Sequence, residues 1–438
     1  MKKHTIVIVS LFASLLLISC NFKTNDLEAT HLSQERLARI DTMLNGYINA
    51  GKLSGATVLI SRDNQIKYLK SFGYSNISDS IPLKNNYIHG IASMTKLVTC
   101  VAALTLYETG YFKMNDRLSD YLPEFKNMKV FVNNANGDTT KEAANPILIK
   151  DLFRHTSGLK YGSMEYETAG VDLGNVNSTS EFVQKIAAIP LHFEPGTTFE
   201  YGYSIDIIGC LIEKLSGKTL RDYLIENIFV PLKMDDTDFY VPKEKMDRLA
   251  NFYMLRNDSL ILAENYDKSA YKTLPKMYSG GGGLVSTAED YAKFLQMLLN
   301  YGECHEKRIL GRKTVELMQT DQLSDVANKG FLSKGQGHGL GSGLINNAGQ
   351  YGELYSDGSL FWMGLRNTYF WIDYKENLFG IFMTQMSPFM VFPYGEQFRI
   401  LTYQAIEDKN KLNANRESLI IFNNSQVAAR FLLLLIVS

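Results

Sequence analysis

The amino-acid sequence predicts an α+β fold: one antiparallel sheet flanked by helices, with an all-helical domain inserted into it. Two observations carry this. β-rich runs with tight-turn signals stand near both ends of the chain, and the stretch between them is dominated by helical periodicity. Strands far apart in sequence most economically complete a single sheet, so the helical middle becomes an insertion.

The elements follow in chain order. In "LSQERLARIDTMLNGYINAGK" the apolar residues Leu37, Ile40, Met43, Leu44 and Ile48 mark one face of a helix. "SGATVLISRDNQIKYLKSFGYSN" gives two short β-rich runs around Asp63-Asn64, which reads as a hairpin. A long apolar helix opens at Ser93 and runs through Leu97, Val98, Val101, Ala102 and Leu104. A second, "IKDLFRHTSGL", is expected to end at Gly158, and residues 160 to 195 carry no clear period. "YSIDIIGCLIEKLSGK" is read as a helix with Ser204 as N-cap and Gly217 as its stop. "SGGGGLVSTAEDYAKFLQMLLNYGE" is a glycine turn and then a helix opened by a capping box from Ser286 to Glu289. "TYFWIDYKENLFGIFMTQ" makes a second hairpin around "DYKEN", and "GEQFRILTYQAIEDK" closes with a helix.

The chain has 438 residues, with 45 Lys+Arg against 46 Asp+Glu, and this balance gives no electrostatic reason to expect nucleic acid. Lys2 and Lys3 precede an apolar run from Ile6 to Ile18, too short to span a bilayer and read as an export signal. The cysteines other than Cys20 are Cys100, Cys210 and Cys304, an odd number, so no disulfide framework is expected. The 7 histidines are scattered with no pair at ligand spacing, which argues against a zinc site. The four consecutive glycines lack the Gly-Lys-Ser/Thr that phosphate binding needs. The end "FLLLLIVS", residues 431 to 438, is too short to cross a membrane.

The chemistry concentrates at "SMTK". Three Ser-x-x-Lys copies exist, Ser93-Lys96, Ser157-Lys160 and Ser269-Lys272, and only Ser93 opens a long helix. A lysine three residues on shares the serine's face. A serine hydroxyl attacks only once a base takes its proton. A helix N-terminus adds its dipole and unpaired N–H groups, and a buried lysine can serve as base. Local sequence alone leaves a second reading open, in which Ser93 merely caps the helix and Lys96 is solvated.

The blocks "IASMTKLVTCVAALTLYETGYFKMNDRLSDYLPEF", "IKDLFRHTSGL", "EPGTTFEYGYSIDIIGCLIEKLSG" and "SGGGGLVSTAEDYAKFLQMLL" together resemble the serine β-lactamase-related superfamily. That group holds class C β-lactamases, D-alanyl-D-alanine carboxypeptidases and carboxylesterases, and the resemblance runs from about residue 34 to 405. It implies a β-lactamase/transpeptidase-like fold with the active site between the sheet-bearing and helical parts. The expected domain spans 34–407, with sheet-bearing parts at about 34–90 and 275–407 and a helical part at about 91–274. A signal at 1–19, a spacer at 20–33 and a tail of unassigned role at 408–438 complete the division.

The resemblance carries the nucleophile onto Ser93 and the assisting lysine onto Lys96. The family's Tyr-x-Asn element falls on Tyr201, which would move protons beside both, as a phenol does only where nearby cations favour its ionised form. Tyr203 stands where the family has the asparagine that commonly holds a substrate amide, which weighs against β-lactamase or peptidase work. The third element resembles "WMGLRNT": Trp362 and Gly364 match, and the N–H of Leu365 becomes the second oxyanion donor beside that of Ser93. Met363, Leu365, Arg366 and Asn367 are bulkier than the small residues usual there. "LISC", Leu17 to Cys20, resembles the lipobox of bacterial lipoproteins, which implies acylation at Cys20 and, with Asn21 following, an outer-membrane address in the cell envelope.

The expected activity is a serine hydrolase with no cofactor, forming an acyl-enzyme on Ser93. Its expected substrates are small-molecule esters, amides or peptidoglycan-like D-amino-acid compounds. The alternatives are a catalytically weak protein that binds peptidoglycan fragments or a partner, and a β-lactamase.

Overall fold

The structure, a computed structural model, describes residues 32–132, 139–162, 176–263, 271–304 and 307–407. The export signal, Cys20, the spacer up to residue 31, Ser269 and the tail 408–438 lie outside the described residues.

The sheet has eight strands: β1 Gly55–Arg62, β2 Gln65–Asn76, β3 Ile81–Pro82, β4 Gln336–His338, β5 Gly343–Ile345, β6 Leu360–Gly364, β7 Thr368–Asp373 and β8 Leu378–Met383. Their spatial order is β4-β5-β6-β7-β8-β1-β2-β3, with every neighbouring pair antiparallel. Both hairpins form where their turn signals stand. Asp63 and Asn64 take φ of 52° and 62°, the left-handed pair that a two-residue turn between twisted strands needs. In the other hairpin the Asp373 carboxylate accepts the N–H groups of Lys375 and Glu376, both at 3.0 Å.

Alternation along the strands splits the core in two. Leu59, Phe370, Ile372, Phe379 and Ile381 face one core together with the helix Ala288–Leu299. Val58, Ile60, Trp371, Leu378 and Phe382 face the other, under the helices Gln34–Asn49 and Tyr394–Tyr403. Gly380 lets this sheet pack tightly: a Cβ there would stand 2.0 Å from the Trp371 ring, which fills that space instead. No helix of the described residues is long and apolar enough to cross a membrane.

The middle of the chain is mainly helical, led by α-helices Thr95–Glu108 and Ser204–Ser216. It is not wholly so. Two small antiparallel ladders interrupt it, Lys129–Val132 with Thr139–Glu142 and Tyr253–Arg256 with Ser259–Leu262. The second turns at Asn257 and Asp258, with φ of 48° and 58°, the same turn chemistry as Asp63-Asn64.

Three local expectations are corrected. The helix from "IKDLF" covers only Ile149–Phe153, and Gly158, at φ 89°, lies in the turn beyond it. Ser204 is the first helical residue and not the cap, because its hydroxyl is engaged with that of Ser157 at 2.8 Å. The later helix is capped by Thr287, whose Oγ1 accepts from Asp290 N at 3.1 Å, while Ser286 pairs with His89 in a short ladder.

Candidate active site

Ser93 lies in a single 3-10 turn, Ala92–Met94, just ahead of the helix Thr95–Glu108, and its side chain caps neither element. Ala92 before it has φ 44°, a conformation unfavourable for a side chain with Cβ and held by its surroundings. Strand β6 supplies that hold. Gly364 sits so close to the turn that a Cβ would lie 2.4 Å from Ile91 O and 2.2 Å from Thr368 Oγ1. Thr368 Oγ1 donates to Ile91 O at 3.2 Å, which fastens the end of the hairpin to the serine turn.

Lys96 is 1% exposed, so its ammonium must be satisfied inside the protein. All three of its donors are engaged: Gly281 O at 2.6 Å, Tyr161 OH at 3.1 Å and Ser93 Oγ at 3.3 Å. The ammonium also stands 4.5 Å from the centroid of the Tyr201 ring, at cation–π distance. The Tyr201 hydroxyl in turn accepts from Trp362 Nε1 at 3.4 Å. Ser93, Lys96, Tyr201 and Trp362 are thus brought together, although they come from a turn, a helix, a loop and a sheet strand.

Behind them sits a part that the sequence reading missed. Asp206, 4% exposed, accepts from Ser279 Oγ at 2.6 Å, Gly281 N at 3.0 Å and Tyr161 OH at 3.4 Å. It therefore holds both groups that Lys96 touches besides Ser93. Burial, with the charge of Asp206 and the neighbouring Tyr201 and Tyr203, pushes the Tyr161 hydroxyl well above its ordinary pKa, so Tyr161 stays protonated and acts as a donor. Within the glycine run, Gly281 is fixed by this contact, since a Cβ there would stand 2.3 Å from Asp206 Oδ2. An aspartate in the apolar stretch "SIDIIG" was the available signal.

The histidines stay neutral here. Burial pushes His338 down to about 4, and burial, His338 and the Lys96 charge hold His155 well below its usual value. Their rings pack the underside of the site, His155 at 4.8 Å from Tyr201 and His338 at 5.5 Å from Trp362.

A cleft of about 560 Å³ opens above Ser93, lined also by Tyr201, Trp362, Met363 and Leu365. The Leu365 side chain, 68% exposed, projects at the mouth. Tyr203 is not part of the lining: its ring packs edge-on against Tyr161 at 4.4 Å and Phe182 at 6.0 Å, the position of a wall residue.

Several known proteins are similar to this chain. An uncharacterized protein of Mycobacterium tuberculosis is 31% identical over 352 residues, covering 78% of this chain and 88% of the relative. The lovastatin esterase of Penicillium rubens is 28% identical over 369 residues, covering 78% and 91%. Esterase EstB of Burkholderia gladioli is 24% identical over 375 residues, covering 79% and 90%. Among solved structures, EstCE1, a hydrolase with promiscuous acyltransferase activity, superposes with a TM-score of 0.72 at 22% identity, over 85% of this chain and 99% of that one. The pattern of the beta-lactamase family matches residues 39–403, and the chain belongs to that family, within the β-lactamase/transpeptidase-like superfamily of serine hydrolases.

Proposed function

We propose that the protein is a serine hydrolase of the esterase type, acting through an acyl-enzyme on Ser93. One observation carries the reading: the buried ammonium of Lys96 stands 3.3 Å from Ser93 Oγ and donates to it, on the floor of an open cleft. An ammonium in that position stabilises an alkoxide at Ser93, while the proton goes to another base. Tyr201, as its phenolate, is that base: the ammonium at its ring face and the Trp362 N–H favour the phenolate, which takes the Ser93 proton and becomes the neutral phenol.

Ser93 Oγ then attacks the ester carbonyl, and the N–H groups of Ser93 and Leu365 receive the oxyanion. Tyr201 returns its proton to the leaving alcohol, and water repeats the sequence in reverse to free the acid. The named esterases among the relatives support ester chemistry. The packing of Tyr203 in the wall supports it over lactam or peptide recognition. Lys2, Lys3, the apolar run and Cys20 support an export signal and a lipid anchor in the cell envelope.

A fluorophosphonate probe followed by peptide mass spectrometry tests the reading. The adduct is expected on Ser93 and is lost in Ser93→Ala together with turnover of a p-nitrophenyl ester. Full turnover by Ser93→Ala would refute it.

A further inference from the structure

The charge of the cleft names a substrate feature, on the footing of the hydrolase reading above. Among the described residues lining the cleft, Glu396 is the one charged side chain, and no described Arg, Lys or His joins it. Aromatic rings supply much of the rest, including Phe331, Tyr351, Phe361 and Phe389 beside Tyr201 and Trp362. A second cavity of about 210 Å³ shares Met363, Phe389, Met390 and Glu396 with the first, and there too Glu396 is the only charged residue among the described lining. Glu396 thus stands at the junction of two cavities, one of which holds Ser93.

Its carboxylate makes no hydrogen bond or ion pair with another described residue. Two cations lie next to lining residues and are engaged elsewhere: Arg399, one turn along the same helix as Glu396, and Lys52, over the Phe392 ring of the second cavity. Arg399, 0% exposed, binds Glu353 at 2.9 Å and stacks 3.8 Å over the Tyr355 ring. Lys52 stands 5.2 Å from the Phe392 ring and does not line either cavity. A carboxylate left open in an aromatic cleft attracts a cationic ligand group and repels an anionic one.

We propose that the preferred substrate is an ester carrying a positively charged, ammonium-type group on the part that reaches Glu396, and that Glu396 determines this specificity. The carbonyl lies at Ser93, the apolar body runs along Trp362 and Met363, and the cation faces the carboxylate. Substrates that place a carboxylate at that end are disfavoured, because the described lining offers them no cationic partner beside Glu396.

Three butyryl thioesters test this: that of thiocholine, that of its uncharged tert-butyl isostere, and that of mercaptopropionate, each followed by thiol release. The thiocholine ester is expected to exceed its isostere in kcat/KM by at least about fivefold, the mercaptopropionate ester to be the poorest, and added salt to narrow the spread. In Glu396→Gln the ratio of thiocholine ester to isostere is expected to fall to near unity. Equal turnover of these two esters by the unaltered protein overturns the inference, and that measurement does not depend on the variant's folding. An unchanged ratio in folded Glu396→Gln overturns the assignment to Glu396. If all three esters are inert and Ser93 resists the fluorophosphonate, the hydrolase reading itself fails.

Discussion

Lys96 and Asp206 are both buried and joined by no direct ion pair; they meet through the Tyr161 hydroxyl and the main chain of Gly281. Removing either charge leaves the other without compensation inside the protein. Asp206→Ala takes away the acceptor of three hydrogen bonds, at 2.6, 3.0 and 3.4 Å. Bonds to a charged group contribute about 1.5–3 kcal/mol each, and breaking a buried charge pair costs about 3–5 kcal/mol, so a loss near the latter range is expected. Lys96→Ala is expected to cost a similar amount for the same reason. The double variant leaves no stranded charge, so its loss falls short of the sum by at least about 1 kcal/mol. Urea unfolding of the four proteins at one pH, compared at constant slope, measures this coupling. Additivity within about 0.5 kcal/mol would show that the two charges are independent and that Asp206 does not position Lys96.

Tyr201→Phe keeps the ring under the Lys96 ammonium but removes the proton acceptor, so kcat for an ester is expected to fall by about 10²–10⁴ with the fold intact; a fall under threefold would exclude it as base. Gly364→Ala forces a Cβ to 2.4 Å from a backbone oxygen, so hairpin and serine turn must part; a loss of both stability and acylation rate is expected, read by thermal unfolding and by fluorophosphonate labelling kinetics. Stability is also expected to fall in mild acid. Burial takes His89 and His338 from 6.5 to about 4, so below pH 6.5 the unfolded chain binds protons that the fold refuses. The stability due to each, about 3 kcal/mol, is complete above pH 6.5 and disappears as pH falls towards 4. An unfolding midpoint that stays constant from pH 7 to 4.5 would contradict this.

The parts of the fold legible in the sequence are those set by local physics. Two hairpins with Asp63-Asn64 and "DYKEN" at their tips, and helices with a clear apolar stripe such as Gln34–Asn49, appear where their patterns stand. Helix starts were less legible, because Ser204, Ser286 and Thr287 are all capable caps and only tertiary packing decides which hydroxyl is free. Ser204 is taken by the Ser157 hydroxyl, and Ser286 by the Thr237 hydroxyl at 2.8 Å. At the site, Ser93 and Lys96 were readable from their three-residue spacing at the start of a long apolar helix, although Ser93 itself lies in the 3-10 turn before it. Tyr161 and Asp206 were not, since each contributes through a contact with Lys96 or Gly281 that no sequence period records. The hairpin at Asn257-Asp258 carried its signal in plain view, but inside a stretch read as helical.

The pairing of β1 with β8 matches Arg62 with Leu378 and Thr57 with Met383, placing the last long strand beside the first. A nascent chain leaving the ribosome therefore cannot close the middle of its sheet until almost the whole polypeptide has emerged. The serine turn is made early, while the strand that braces it, Leu360–Gly364, is made late. Synthesis therefore keeps the nucleophile unassembled by order of translation. Chains released before β8 lack the sheet's centre, and such long-range closure makes folding slow compared with that of a helical bundle.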